Sequence, residues 1–117
     1  MSEVPVDVTR LTESFGDDYE FLNDTYQIFL DDTQTRIAEL VDVVESSSAE
    51  HCAAVAHAIK GASENVGAET MSAIAGAMEL DGRAGDMSNA PSNLKALQAE
   101  FEKASAFIVD YLDSIRP

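Results

Sequence analysis

Apolar residues recur at spacings of three and four along most of this 117-residue chain. This spacing is typical of an α-helix with one buried side, because residues three or four apart lie on the same face. We find no segment with the two-residue alternation of a β-strand. Breaks in the helical pattern are few, since the chain has only three prolines and six glycines. The sequence therefore predicts an all-α fold.

Polar or glycine-containing stretches divide this pattern into five predicted helices. They run from Val8 to the residue before Gly16, from Asp17 to about Glu45, from the serine run 46–48 to about Asn65, from Ala68 to DGRAGD (81–86), and from after Asn89 through the last apolar position at Ile115. The first of these is short, with Asp7 as its N-cap. The other four are long and amphipathic.

The turn residues make three local predictions. Ser47 followed by Glu50 has the spacing of a capping box, which predicts the start of the third helix. Gly67 is expected to end that helix in the left-handed conformation that glycine adopts at least cost. The two glycines of DGRAGD are expected to end the fourth helix.

Four long amphipathic helices joined by short turns predict an antiparallel four-helix bundle. The short N-terminal helix is expected to cover one end of it. At 117 residues the chain has the length of one ordinary domain, so residues 1–117 are predicted to form a single domain.

The charge balance is strongly acidic, with 22 Asp and Glu residues against seven Lys and Arg residues and a formal net charge of -15. Such a chain repels phosphate backbones and anionic lipid surfaces, so neither nucleic acid nor a membrane is an expected partner. The sequence has no apolar run long enough to span a bilayer and no signal-peptide pattern. We therefore expect a cytoplasmic protein, and the like charge favours a monomer.

A metal centre is not expected. Cys52 is the only cysteine and falls on an apolar helix face, where a packed core thiol is the simplest interpretation. Carboxylate-rich bundles can hold metals through Glu-x-x-His pairs, but neither His51 nor His57 has a glutamate three residues before it.

The run AVAHAIKGASENVGA (54–68) carries the most informative cluster. On a helical projection His57, Lys60 and Gly61 lie roughly opposite the apolar stripe, so the imidazole is expected to face solvent. A neutral imidazole nitrogen is a nucleophile, and an ammonium three residues away can offset the charge of a phosphoryl group bound to it. Gly61 costs about 1 kcal/mol in a helix interior relative to alanine, but it leaves open space one turn from His57.

Each of these residues also has an ordinary explanation. A surface histidine is usually only solvated, Lys60 could pair with Glu64 four residues later, and Gly61 could relieve a close helix crossing. Against this, Lys60 is the only Lys or Arg between Arg36 and Arg83.

The segment from His57 to Ala68, HAIKGASENVGA, resembles the signature of histidine-containing phosphotransfer (HPt) domains, the relay modules of multistep two-component signalling. The likeness extends upstream through FGDDYEFLNDTYQIFLDDTQTRIAEL (15–40) and downstream through the spacing of Met71, Ile74 and Met78. It implies a helical bundle whose exposed histidine accepts a phosphoryl group from a receiver-domain aspartate and passes it to another.

The resemblance also implies roles for individual residues. His57 would be phosphorylated, Lys60 would assist with charge, and Gly61 would give access. Glu79 falls where the family often carries Gln or Glu near the imidazole, so it would orient the ring. Glu64 departs from the small residue usual at its position, which bears on the choice of partner.

A receiver docking over this face would meet six further residues, namely Ala53, Ala54, Ala58, Glu64, Phe21 and Ile28. Packing against the first short helix is an equal alternative for Phe21 and Ile28. Partners implied by the resemblance are receiver domains of response regulators or a hybrid histidine kinase. No cofactor of its own is expected, since Mg²⁺ would belong to the receiver.

Two other functional classes are alternatives to a phosphotransfer domain. A bundle that binds a receiver or kinase without being phosphorylated is compatible with the composition, but it would have no need of His57, Lys60 and Gly61 together. A self-sufficient enzyme lacks support, because the sequence shows neither a glycine-rich nucleotide loop nor a usable catalytic triad.

Overall fold

The computed structural model describes residues 4–117, and the first three residues of the predicted domain 1–117 lie outside this range. Five helices follow one another along this part of the chain. They are α1 (Thr9–Phe15), α2 (Tyr19–Glu45), α3 (Ala49–Val66), α4 (Glu69–Arg83) and α5 (Ala90–Ile115). The all-helical prediction is confirmed.

Helices α2 to α5 form an antiparallel bundle in which each packs against two neighbours. Helix α2 lies between α3 and α5, and α4 lies between the same two helices on the other side. In residues 4–117 the diagonal pairs do not pack directly. The core between them consists of fully buried side chains from all four helices, the largest being Tyr26, Leu22, Leu40, Ile59, Met71, Met78, Leu97 and Ile108. No helix in the described range is both long and apolar enough to cross a bilayer.

Helix α1 covers the end of the bundle at which α3 and α4 meet. Helix α2 has 27 residues and α3 has 18, so α2 is longer by about 13 Å. The N-terminal segment packs against α3 and α2 at this end, with Val6 and Leu11 buried in the core. The Asp7 carboxylate accepts hydrogen bonds from the amide and hydroxyl of Thr9, which orders the start of α1.

The turn between α3 and α4 has the predicted form. Gly67 has a φ of 82°, and its carbonyl accepts a hydrogen bond from the Asp7 amide at 2.8 Å. A Cβ at this position would collide with the Asp7 carbonyl. Gly67 is therefore required both by its left-handed backbone and by the close approach of the N-terminal segment.

Two local predictions were wrong. Ser47 is not the cap of α3: it has a φ of 56°, and Ser48 stands at the N-cap without a side-chain hydrogen bond. Gly82 does not end α4 but lies inside it, where the Cβ of any other residue would lie 2.7 Å from the Ala49 carbonyl oxygen.

Candidate functional site

His57 stands on the outer face of α3, as the helical projection predicts. Its side chain is 67% exposed, while Ala56 and Ile59 on either side of it along α3 are buried in the core. Ala54 and Gly61, one turn away in each direction, are also exposed. The imidazole is therefore reachable by a large partner.

The carboxylate of Glu79, on α4, is hydrogen-bonded to one nitrogen of the His57 imidazole. Its Oε2 lies 2.8 Å from His57 Nδ1, across the interface between α3 and α4. Its side chain is only 10% exposed, so the carboxylate lies in the interface with little access to solvent. The structure thus brings together two residues 22 positions apart that the sequence resemblance placed near one another.

Arg83, one turn further along α4, binds the same carboxylate oxygen. Its Nη2 and Nε donate to Glu79 Oε2 at 2.6 and 3.0 Å. Sequence reasoning did not single out Arg83, although the four-residue spacing from Glu79 is that of a helical ion pair and could have indicated it.

These contacts determine which ring nitrogen of His57 is free. The Arg83 hydrogen bonds are the main cause that lowers the pKa of Glu79, so the carboxyl is ionised at neutral pH. An ionised carboxylate can only accept hydrogen bonds, so the proton between it and the imidazole belongs to Nδ1. In the neutral ring Nε2 then carries the lone pair.

Lys60 lies one turn from His57 and is half-buried. The end of its aliphatic stem runs past Gly76 of α4, where an added Cβ would lie 3.7 Å from it. The residue lines an open cleft together with Glu64, Ser72, Glu79 and Arg83. The ordinary explanation of Lys60 as a partner of Glu64 does not hold: within residues 4–117 the two form no ion pair, and Glu64 instead accepts a hydrogen bond from the Ser72 hydroxyl at 3.2 Å.

Gly61 is open on all sides. A Cβ built there would meet no atom within 4 Å. The alternative that this glycine relieves a close helix crossing is therefore wrong, and that role belongs to Gly82.

Comparison with known proteins identifies the family. The sequence model of the Hpt domain matches residues 24–107. The chain belongs to the Hpt domain family. The fold is similar to the crystal structure of histidine-containing phosphotransfer protein B (HptB) from Pseudomonas aeruginosa PAO1, with a TM-score of 0.83 and 25% sequence identity over 97% of this chain and 98% of that one. No curated protein matches the chain by sequence.

Membership in this family establishes the general function. The Hpt domain serves histidine phosphotransfer in two-component phosphorelays. It is a phosphocarrier, and Hpt domains interact with the receiver domains of their phosphorelay partners.

The six residues expected to dock a receiver are not all on this Hpt domain's surface. Ala54, Glu64 and Ile28 are exposed and Ala58 is half-buried. Ala53, in contrast, is 6% exposed and packs beneath α4 at Gly82, so its place on the docking surface is a wrong prediction.

Phe21 is half-buried and packs on Phe15 of α1 with ring centroids 4.3 Å apart. The structure favours packing as the role of Phe21. Ile28 does not share this contact, because its side chain is 68% exposed on α2.

Cys52 is buried in the core of this Hpt domain, and burial raises the pKa of its thiol. Its interpretation as a packed core residue is consistent with this position. No group of three or more His, Cys, Asp or Glu residues in the described range is arranged to hold a metal ion.

Proposed function

We propose that His57 Nε2 is the atom that receives the phosphoryl group in this Hpt domain. The single observation that carries the proposal is the hydrogen bond from Nδ1 to Glu79, which leaves Nε2 as the unprotonated nitrogen of an exposed ring. The other histidine, His51, has the opposite arrangement, since its Nε2 lies 2.9 Å from Glu39. Only His57 combines a free Nε2, a nearby lysine and an open neighbouring position.

The transfer step follows from this geometry. Nε2 attacks the phosphorus of an aspartyl phosphate on a docked receiver domain, an N–P bond forms, and the P–O bond to the aspartate breaks. The aspartate leaves as a carboxylate, and the positive charge gained by the ring is balanced by Glu79. Transfer to a second receiver reverses these bond changes.

Lys60 supplies charge to the transferred group. Phosphoryl transfer passes through a loose transition state with negative charge on the peripheral oxygens, which a nearby ammonium stabilises. Since Glu64 is held by Ser72, the Lys60 ammonium is left available in the cleft. Gly61 keeps the surface beside the ring low enough for a receiver to approach.

The phosphoryl group comes from outside this chain. Receiver domains of response regulators or a hybrid histidine kinase supply and accept it, and Mg²⁺ is expected in the receiver rather than here. We propose that residues 1–117 act as one phosphotransfer domain, as a monomer without a cofactor of its own, in the cytoplasm.

Phosphorylation of histidine variants tests the proposed function. His57→Gln should keep the helical circular dichroism of the native protein and accept no acid-labile, base-stable label from a phosphorylated receiver. His51→Gln is the matched control, because it removes an exposed, carboxylate-bonded histidine from the same helix. Full labelling of His57→Gln would refute the proposal. If the native protein binds the receiver but is not labelled by it, the protein is an adaptor instead.

A further inference from the structure

Three hydrogen bonds converge on one carboxylate oxygen beside the phosphoryl acceptor. Glu79 Oε2 accepts from His57 Nδ1 at 2.8 Å, from Arg83 Nε at 3.0 Å and from Arg83 Nη2 at 2.6 Å. Because two nitrogens of the Arg83 guanidinium donate to the oxygen that also meets the imidazole, Arg83 restrains the very atom that orients His57.

The ion pair between Arg83 and Glu79 joins an exposed side chain to a largely buried one. Arg83 is 63% exposed and Glu79 is only 10% exposed, so the guanidinium reaches in from solvent to a carboxylate that lies between α3 and α4. Arg36 and Asp32 form an ion pair of the same four-residue spacing on α2, with an N···O distance of 2.8 Å and, within residues 4–117, no hydrogen bond to a histidine. The pair Arg83–Glu79 therefore contacts His57, whereas the pair Arg36–Asp32 does not, and Arg36 can serve as the control.

The imidazole depends on Glu79 for its orientation. His57 has no other hydrogen-bond partner within residues 4–117, and its exposed ring has no packing on its outer side. Glu79 has several rotatable side-chain bonds, and ordering such a side chain costs rotamer entropy. A second partner that holds the carboxylate in place lowers the cost of ordering the imidazole.

We propose that Arg83 is a positioning residue for phosphoryl transfer, which holds Glu79 Oε2 so that His57 keeps its proton on Nδ1 and presents Nε2 to the receiver. Arg83 acts through Glu79 and does not need to touch the phosphoryl group. The consequence for transfer rests on the proposed function of His57, whereas the effect on the ring proton does not.

The ring proton can be measured without any partner. Long-range ¹H–¹⁵N NMR correlations of the unphosphorylated protein distinguish the Nδ1–H and Nε2–H tautomers of a neutral imidazole. The Nδ1–H form is the minor one in free histidine, so its predominance at His57 is a specific signature. We expect Arg83→Ala to shift the tautomer toward Nε2–H, and Arg36→Ala to leave the native ratio unchanged.

A double-mutant cycle tests whether the effect passes through Glu79. Glu79→Ala should abolish the preference for Nδ1–H, and adding Arg83→Ala to that variant should change nothing more. A native tautomer ratio in Arg83→Ala would overturn the proposal, as would a further change in the double variant. Circular dichroism confirms that each variant is folded.

Chemical phosphorylation connects the tautomer to reactivity. Phosphoramidate phosphorylates histidines directly, so it reports on Nε2 without requiring a receiver to dock. Arg83→Ala should be labelled on the order of tenfold more slowly than the native protein, as expected for a misplaced nucleophile. Arg36→Ala should be labelled at the native rate. Equal labelling of Arg83→Ala and the native protein would refute the positioning role, whereas labelling that persists in His57→Gln would refute the proposed function itself.

Discussion

Gly61 is a residue that the fold of the bundle does not require. It lies within α3, where glycine is a poor helix former, and its surroundings are empty. Nothing in the packing of the bundle demands it. This agrees with the proposal that Gly61 keeps the surface beside His57 low.

We therefore predict that Gly61→Ala stabilises the protein. Replacing glycine by alanine inside a helix is expected to raise the free energy of unfolding by about 1 kcal/mol, since the added methyl group meets no atom. Urea denaturation followed by circular dichroism measures this. A loss of stability would mean that α3 packs more closely at this position than the structure shows.

A bulky side chain at the same position should instead affect transfer. Gly61→Glu is expected to slow transfer from a phosphorylated receiver while leaving labelling by phosphoramidate near the native rate, because only the large donor is obstructed. If both reactions slow equally, Gly61 affects the histidine itself rather than docking.

Removing the Lys60 side chain should raise the free energy of the transition state for phosphoryl transfer. A charge-assisted hydrogen bond is worth about 2 kcal/mol, so Lys60→Ala is expected to slow transfer from a receiver roughly 30-fold. Lys95→Ala, which removes an exposed lysine on α5, is the control. Quenched-flow measurement of label transfer gives both rates, and equal rates would show that the Lys60 ammonium does not reach the phosphoryl group.

At the scale of helices, the close approach of α3 and α4 brings the site together. Small residues make this approach possible: Ala53 of α3 lies directly against Gly82 of α4. The same contact places Glu79, less than one turn before Gly82, beside His57. The packing of these two helices and the geometry of the imidazole are therefore coupled.

Gly82→Ala should have the opposite effect on stability to Gly61→Ala, although both glycines lie within helices. A Cβ at Gly82 would lie 2.7 Å from the Ala49 carbonyl oxygen, and backbone cannot move aside as a flexible side chain can. We expect the cost of this crowding, about 1–3 kcal/mol, to outweigh the gain in helix propensity. Parallel urea titrations of the two alanine variants test this pair, and stabilisation by Gly82→Ala would show that the α3–α4 interface is looser than described.

At the scale of the whole molecule, the charge of -15 opposes the compact state. Only seven lysines and arginines offset 22 carboxylates, and several of them, such as Arg83 and Arg36, are already engaged in ion pairs. Much of the negative surface therefore remains uncompensated. The same charge disfavours association between copies of this chain.

Salt should consequently raise the melting temperature. Raising NaCl from 0.01 M to 0.15 M shortens the Debye length from about 30 Å to about 8 Å and screens the repulsion between distant carboxylates. Calorimetry at pH 7 across this range measures the shift. A melting temperature that falls with salt would mean that attractive ion pairs outweigh the net repulsion.

The sequence by itself determined the features that depend on local spacing. The five helices, the outward direction of His57 and the left-handed turn at Gly67 follow from periodicity and from the backbone preference of glycine, both of which act within a few residues. The family signature around His57 added Lys60, Gly61 and Glu79 for the same reason, because these positions have fixed spacings along the chain.

Only the tertiary structure decided which side chains meet across helices. The burial of Ala53, the steric need for Gly82 and the hydrogen bonds that link Arg83, Glu79 and His57 depend on how α3 and α4 are rotated and shifted along one another. That relative placement arises from the interlocking of many side chains at once, so no spacing within a single helix specifies it.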